Sequence, residues 1–249
     1  MREKKLWIDL RADSIRIPEY EDFTKHSIFV GNLFTFYLPT VAISKMSKIV
    51  IEFSSQPDAL NIRPFGSIHT ITETFPFNKF RKEDFSGKVK LLAERIYKCL
   101  AILYNQFNLD LAKLDFGYQQ ILDNDFKLSI KLFKGIKTNK IKTYKAFVAA
   151  DFLLDHTLIK IYFLDKNDTM TRESLLFKTT PGWFFYTLLL KSARWIDNET
   201  FELSNPTKEI NFRINVNGEI TTCYAPVDRD IDGIKEEIQS YTLERFFEI

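Results

Sequence analysis

Residues 210–225 read INFRINVNGEITTCYA, and this stretch contains the strongest turn signal in the chain. Asn217-Gly218 stands between two segments that are typical of β-strands. Asn-Gly favours the type I′ turn, whose backbone twist matches the twist of two antiparallel strands. The stretch therefore predicts a β-hairpin.

Two further hairpins are predicted upstream. In residues 126–132 apolar and polar residues alternate with a period of two, KTNK (137–140) supplies a turn, and the chain returns from Ile141. Residues 157–164 and 173–179 flank DKNDT, which is rich in turn-forming residues. Nearer the N-terminus, three runs rich in β-branched and aromatic residues predict strands. These runs are residues 6–10, 27–38 and 48–53.

Three segments predict helices. Apolar residues recur at spacings of three and four between Ser86, a candidate N-cap, and Phe107, so we expect a core helix over 86–107. Thr180-Pro181 opens a second helix that continues to Leu190 and is apolar on all faces, which predicts that it is buried in the core or covered by a partner in a homodimer. A third helix is expected from about Asp232 to the end of the chain.

Hairpins combined with two or three helices predict an α+β fold with a mainly antiparallel sheet. Regular β-α-β alternation is not visible, so a parallel Rossmann-type sheet is not expected. No Pro/Gly/Ser-rich linker divides the chain, which favours a single globular domain over 1–249, with a subdivision allowed near 108–125.

The composition indicates a folded protein of the reducing cytoplasm. The chain of 249 residues holds 24 Phe but only 8 Gly, which argues against a disordered or low-complexity protein. No apolar signal segment follows the N-terminus, and the longest apolar run, residues 183–190, is too short to span a bilayer. Cys99 and Cys223 lie far apart in the chain and show no metal-binding spacing.

The sequence contains little recognisable catalytic chemistry, so we assign no catalytic residue, metal ligand or cofactor. His69 and Glu73 would share a face of a strand, which permits an acid–base pair but favours a structural role. His156 near Asp151 is interpreted as a turn feature. Asp228, Asp230 and Asp232 resemble the start of an EF-hand calcium loop, but position twelve is Gln239. Acidic residues at a helix N-terminus are the simpler interpretation, with weak calcium binding left open.

Charge is the most distinctive feature of this chain. Residues 127–147 contain seven lysines and no acidic residue, and the remaining 28 basic and 33 acidic residues leave the rest of the chain at a net −5. We consider a solvated hairpin, contact with an acidic protein or the chain's own C-terminal segment, and nucleic-acid binding. The lysines are Lys127, Lys131, Lys134, Lys137, Lys140, Lys142 and Lys145.

These features predict a non-enzymatic cytoplasmic protein that binds an acidic partner by charge-complementary docking, as an immunity or antitoxin-type protein would. The alternative is a nucleic-acid-associated protein that uses the lysine-rich hairpin. That alternative is weakened because the hairpin has no arginine and the sequence pI is only about 8.3. An enzyme whose active site is assembled from distant residues is the third possibility. The oligomeric state is not indicated by the sequence.

Overall fold

The computed structural model describes residues 3–13, 20–42, 46–57, 60–179 and 189–224, and the chain divides into two compact units, residues 1–127 and 128–249. The predicted α+β fold with antiparallel sheets is confirmed. The boundary between the units lies just beyond 108–125, the segment where the sequence allows a subdivision. That the whole chain folds as a single domain stays a prediction.

The first unit combines a four-stranded sheet with four described helices. β2, β4 and β6 are parallel neighbours, β5 pairs antiparallel with β6 at the edge, and β1 pairs with β3. Its elements are β1 (Glu3–Lys4), β2 (Trp7–Ala12), α1 (Tyr20–Tyr37), β3 (Val41–Ala42), β4 (Lys48–Ser54), β5 (Asn61–Phe65), β6 (Ile68–Thr74), α2 (Phe77–Lys82), α3 (Phe85–Gln106) and α4 (Leu111–Asp123).

Residues 27–38 were predicted as a strand, and this prediction is wrong because they form most of helix α1. The buried stripe of this helix begins at Phe23, upstream of the apolar run, and continues through Val30 and Leu33. Within the run itself apolar residues are nearly continuous, and such a pattern does not separate a buried strand from a buried helix. α1 is also the crossover between β2 and β4, so the error concealed the parallel pairing.

The predicted core helix over 86–107 is confirmed as α3, and its buried stripe includes Val89, Leu92 and Ile96. The N-cap, however, is Asp84 and not Ser86. The Asp84 side chain accepts a hydrogen bond of 2.8 Å from the backbone N–H of Gly87. The Asp84 carboxylate thus satisfies a donor of the first turn, which is the role expected of an N-cap. Ser86 lies inside the helix, and its side chain is exposed.

The second unit contains two antiparallel sheets. One has the strand order β11-β10-β9-β7, with β8 also paired to β9, and the other has the order β12-β13-β14-β15. The elements are β7 (Leu128–Lys131), β8 (Lys137–Thr138), β9 (Tyr144–Phe152), β10 (Thr157–Asp165), β11 (Met170–Thr179), β12 (Ser192–Trp195), β13 (Thr200–Ser204), β14 (Ile210–Asn215) and β15 (Ile220–Tyr224).

All three predicted hairpins are confirmed in this unit. β14 and β15 flank the Asn-Gly turn, where Gly218 has φ +93°, a value that L side chains rarely adopt. β10 and β11 flank the turn 166–169, and β7 and β8 both pair with β9. The turn in the lysine-rich hairpin lies at 139–143, slightly later than the predicted 137–140.

Aromatic side chains join the two sheets of the second unit into one core. The ring of Phe163 on β10 lies 5.8 Å from that of Trp195 on β12, and the ring of Phe177 on β11 lies 5.6 Å from that of Phe212 on β14. All but the half-buried Trp195 are completely or almost completely buried. Residues of β9 and β10 with the opposite parity therefore form the outer face of the larger sheet.

Two predicted helices lie mostly or wholly outside the residues that the structure describes. The first is the helix 180–190, of which only Leu189 and Leu190 are described, and both are buried. The second is the helix expected from about Asp232. Among the described helices, none has the length and hydrophobicity that a bilayer span requires.

Candidate partner-binding surface

The seven site lysines occupy different environments. Lys127 belongs to the first unit, and its ammonium group lies 3.4 Å from Asp125. The other six belong to the second unit, on β7, on β8, on β9 and in the turns between them. That all seven bind a partner stays a prediction, and their surroundings separate those with an acidic or aromatic contact from those without one.

Lys131 is packed onto an aromatic pair on the outer face of the larger sheet. Its Nζ atom lies 4.7 Å from the centroid of the Phe147 ring. The Phe147 ring stacks on Tyr162, with centroids 4.7 Å apart and planes within 9°. Because β7 and β10 flank β9 on opposite sides, Lys131 and Tyr162 cover opposite faces of the Phe147 ring. Both faces of this ring are therefore occupied.

Lys145 already has an acidic neighbour. Its Nζ atom lies 2.6 Å from Oδ1 of Asp168, a residue of the turn that joins β10 and β11. The side chain of Lys145 is mostly buried, while that of Asp168 is largely exposed. This lysine contributes less positive charge to the surface than its sequence position suggests.

Three exposed lysines have neither an acidic nor an aromatic partner among the described side chains: Lys134, Lys140 and Lys142. Lys134 and Lys142 have φ of 59° in the turns of the hairpin. Turn residues with solvent on most sides hold their charges outward. These three lysines are the part of the predicted site with the strongest uncompensated charge.

A groove lies beside this turn, between β8 and the end of β12. Its volume is about 720 Å³. It contains the cations Lys137, Lys140 and Arg194 and the exposed side chain of Ile196. The remaining lining residues are Thr138, Ala193, Trp195, Asp197 and Asn198.

Two hydrogen bonds fix the walls of the groove to each other. The Trp195 indole N–H donates to the carbonyl of Lys137 at 2.9 Å, and the Asn139 amide donates to the carbonyl of Asn198 at 2.8 Å. Asn139 is only 3% exposed, and its Oδ1 atom accepts the backbone N–H groups of Thr143 and Tyr144. This one side chain therefore shapes the hairpin turn and attaches it to the opposite wall.

Arg194 is held by a cross-strand charge cluster that the sequence analysis missed. Arg194, Glu202 and Arg213 are neighbours on β12, β13 and β14, and the Glu202 carboxylate contacts the two guanidinium groups at 2.8 and 3.2 Å. Burial by itself raises the pKa of Glu202, but hydrogen bonds from Arg194 and Arg213 outweigh it and hold that pKa below its ordinary value. Only the strand register aligns these three residues.

No protein family, curated protein or solved structure was found to match this chain.

His69 and Glu73 share a face of β6, as predicted, but they have different partners. His69 contacts the residue that follows α3, and Glu73 contacts residues within α3. The His69 ring packs edge-on against Phe107 with centroids 4.8 Å apart. Glu73 accepts a 2.6 Å hydrogen bond from the Cys99 thiol and contacts Arg95 at 3.3 Å. Burial and the hydrogen bond to Glu73 raise the pKa of the Cys99 thiol, which makes it a poor nucleophile.

His156 and Asp151 also have separate partners. The His156 ring lies 2.5 Å from the Asp155 carboxylate, whereas Asp151 accepts a hydrogen bond from Ser129 and pairs with Lys160 at 3.1 Å. Among the described residues, no three His, Cys, Asp or Glu side chains form a group that could hold a metal ion. Asp228, Asp230 and Asp232 lie outside the described residues.

Proposed function

We propose that this protein is a non-enzymatic interaction protein that binds an acidic partner protein through the lysine-rich hairpin and the adjoining groove. The observation that carries the proposal is that Lys134, Lys140 and Lys142 are exposed with no acidic or aromatic partner among the described side chains, and that Lys140 lines a groove with further cations. An uncompensated cationic surface attracts an acidic partner and accelerates its association. The cytoplasmic location and an immunity or antitoxin-type role belong to the same proposal.

The aromatic pair favours a protein partner over a nucleic acid. Proteins that bind single strands offer open aromatic faces on which bases stack. Of the aromatic residues in the hairpin, Phe133, Tyr144 and Phe147, the last already has Lys131 and Tyr162 against its two faces. The exposed cations of the hairpin are also all lysines, which lack the bidentate geometry that suits phosphates and base edges.

A quantitative pull-down from the native cell tests this proposal. Tagged wild-type protein is compared with a variant that carries Lys134→Glu, Lys140→Glu and Lys142→Glu. We expect the variant to lose a partner that the wild type captures, while its circular dichroism stays unchanged, because exposed charges contribute little to stability.

The matched control changes the same number of exposed lysines in the first unit: Lys82→Glu, Lys90→Glu and Lys98→Glu. It alters the net charge equally and should retain the partner. Equal capture by both variants would contradict the proposal. So would wild-type binding to a labelled DNA or RNA strand at physiological salt that is tighter than about 1 μM, since non-specific binding is usually weaker than this.

A further inference from the structure

We propose that the groove between β8 and β12 binds an acidic peptide segment that carries an apolar side chain. This inference rests on the proposed function, because the segment would belong to the acidic partner. It goes further by assigning the recognition chemistry to particular side chains. The lysines of the turn attract the partner, and the groove selects which part of it is held.

The charge of the groove suits carboxylates. Among the described residues that line it, Lys137, Lys140 and Arg194, which also pairs with Glu202, face one acid, Asp197. The Asp197 carboxylate accepts the backbone N–H groups of Glu199 and Thr200, at 2.8 and 2.6 Å, and these bonds hold its pKa below the ordinary value. Asp197 thus serves its own turn, and no described carboxylate lies within salt-bridge distance of Lys137 or Lys140.

The groove also offers an apolar contact among its cations. The Ile196 side chain is 40% exposed, and the half-buried Trp195 also lines the groove. Trp195 is supported by Phe163 and Phe201, with ring centroids 5.8 and 5.3 Å away. A rigidly supported aromatic residue beside an exposed aliphatic one is a suitable floor for a leucine or phenylalanine of the ligand. A ligand with only acidic side chains would leave the apolar surface of Trp195 and Ile196 exposed to solvent.

Size and rigidity favour a short segment over a broad protein face. A volume of about 720 Å³ lies within the usual range of concave ligand sites, roughly 300–1,000 Å³. The hydrogen bonds of Trp195 and Asn139 hold the walls together before a ligand arrives. Binding to a preformed groove costs less conformational entropy than ordering two loose turns would.

The test is calorimetric titration of the full chain with three blocked octapeptides. The first has six glutamates around a central Leu-Phe pair, the second replaces Leu-Phe by Gly-Gly, and the third replaces the glutamates by glutamines. We expect the first peptide to bind, the second to bind about fivefold more weakly because it lacks the apolar contact, and the third about tenfold more weakly because it lacks the charge. The tenfold loss corresponds to about 1.4 kcal/mol of binding free energy.

Two groove variants assign the two contributions. Lys140→Glu should weaken binding of the first peptide about fivefold through charge repulsion. Ile196→Ser should weaken the Leu-Phe peptide but leave the Gly-Gly peptide unchanged, which a general loss of structure would not do. Lys90→Glu, on the exposed face of α3, is the control and should bind like the wild type.

Equal affinity for the three peptides, or no detectable binding, would overturn the inference, as would an Ile196→Ser variant that weakens both acidic peptides equally. The pull-down keeps these results separate from the proposed function. If a partner is captured through Lys134, Lys140 and Lys142 while no peptide binds, the groove inference fails and the proposed function stands. If the peptides bind as expected but no partner depends on those lysines, the proposed function fails as stated.

Discussion

Asn139 shows how much of the candidate surface depends on one buried side chain. It makes hydrogen bonds to Thr143, Tyr144 and Asn198, and through them it holds the lysine-rich turn against the loop that follows β12. Asparagine is common in turns because its amide mimics a backbone group. The sequence pattern indicates the turn, but it does not indicate the hydrogen bond to Asn198, which lies 59 residues further along the chain.

Replacement of Asn139 by Ala should lower the free energy of unfolding by about 1–3 kcal/mol, because partly buried backbone N–H groups lose their acceptor. Urea unfolding followed by circular dichroism measures the change. Asn198→Ala is the matched control, because Asn198 contributes only its backbone carbonyl to the contact. Equal losses in the two variants would contradict the role assigned to the Asn139 amide.

Glu202 makes stability depend on pH. Since the two arginines lower its pKa in the folded protein, its contribution is fully present above the unfolded-state pKa of about 4.3 and is lost as the pH falls through the lower folded-state pKa. The Glu202→Gln variant should therefore be less stable than wild type at pH 7, and the difference should shrink as the pH approaches 3.

Urea midpoints at pH 7, 5 and 3 provide this measurement. Glu199→Gln, at an exposed position of the same unit, serves as the control and should follow the wild-type profile. A difference between Glu202→Gln and wild type that stays constant across the pH range would show that the carboxylate charge is not what the arginines stabilise.

At the scale of elements, the three hairpins and helix α3 follow from the sequence because their signals are local. A two-residue turn such as Asn217-Gly218 fixes the pairing of strands that are adjacent in the chain. A stripe at spacings of three and four similarly defines α3 within a single segment. For the segment 27–38 the prediction of secondary structure was wrong, because its apolar residues are nearly continuous and show no clear period.

The N-cap of α3 gives a direct comparison between pattern and structure. Asp84→Ala should reduce stability by about 0.5–2 kcal/mol, because the backbone N–H of Gly87 loses its acceptor. Ser86→Ala should have little effect, since Ser86 is an exposed residue inside the helix. Thermal unfolding of both variants measures the difference, and a larger loss for Ser86→Ala would restore the sequence-based assignment.

At the scale of the whole molecule, charge is separated along a chain that is nearly neutral overall. The segment 127–147 carries +7 while the rest carries −5, so attraction to an acidic partner is local. The structure reduces the uncompensated charge of the segment, because Lys127 and Lys145 have acidic neighbours. Lys131 keeps its charge but is held against Phe147. The effective charge is concentrated at the turns.

This concentration predicts the salt dependence of association with the partner that the pull-down recovers. The Lys134, Lys140 and Lys142 triple variant should associate several-fold more slowly than wild type at low salt. The difference should decline near physiological ionic strength, where screening extends over about 8 Å. Stopped-flow or surface-based kinetics at several salt concentrations measure it. A rate difference that does not change with salt would contradict electrostatic attraction.

The hairpins, helix α3, the α+β class and the concentration of lysines could all be read from the sequence, because each depends on residues close together in the chain. Tertiary structure alone decided the parallel pairing of β2, β4 and β6, the covering of both faces of Phe147, and the alignment of Arg194, Glu202 and Arg213. It also decided the groove, whose two walls are almost 60 residues apart in the chain. Such contacts depend on strand register and sheet packing, and no local pattern of residues specifies these.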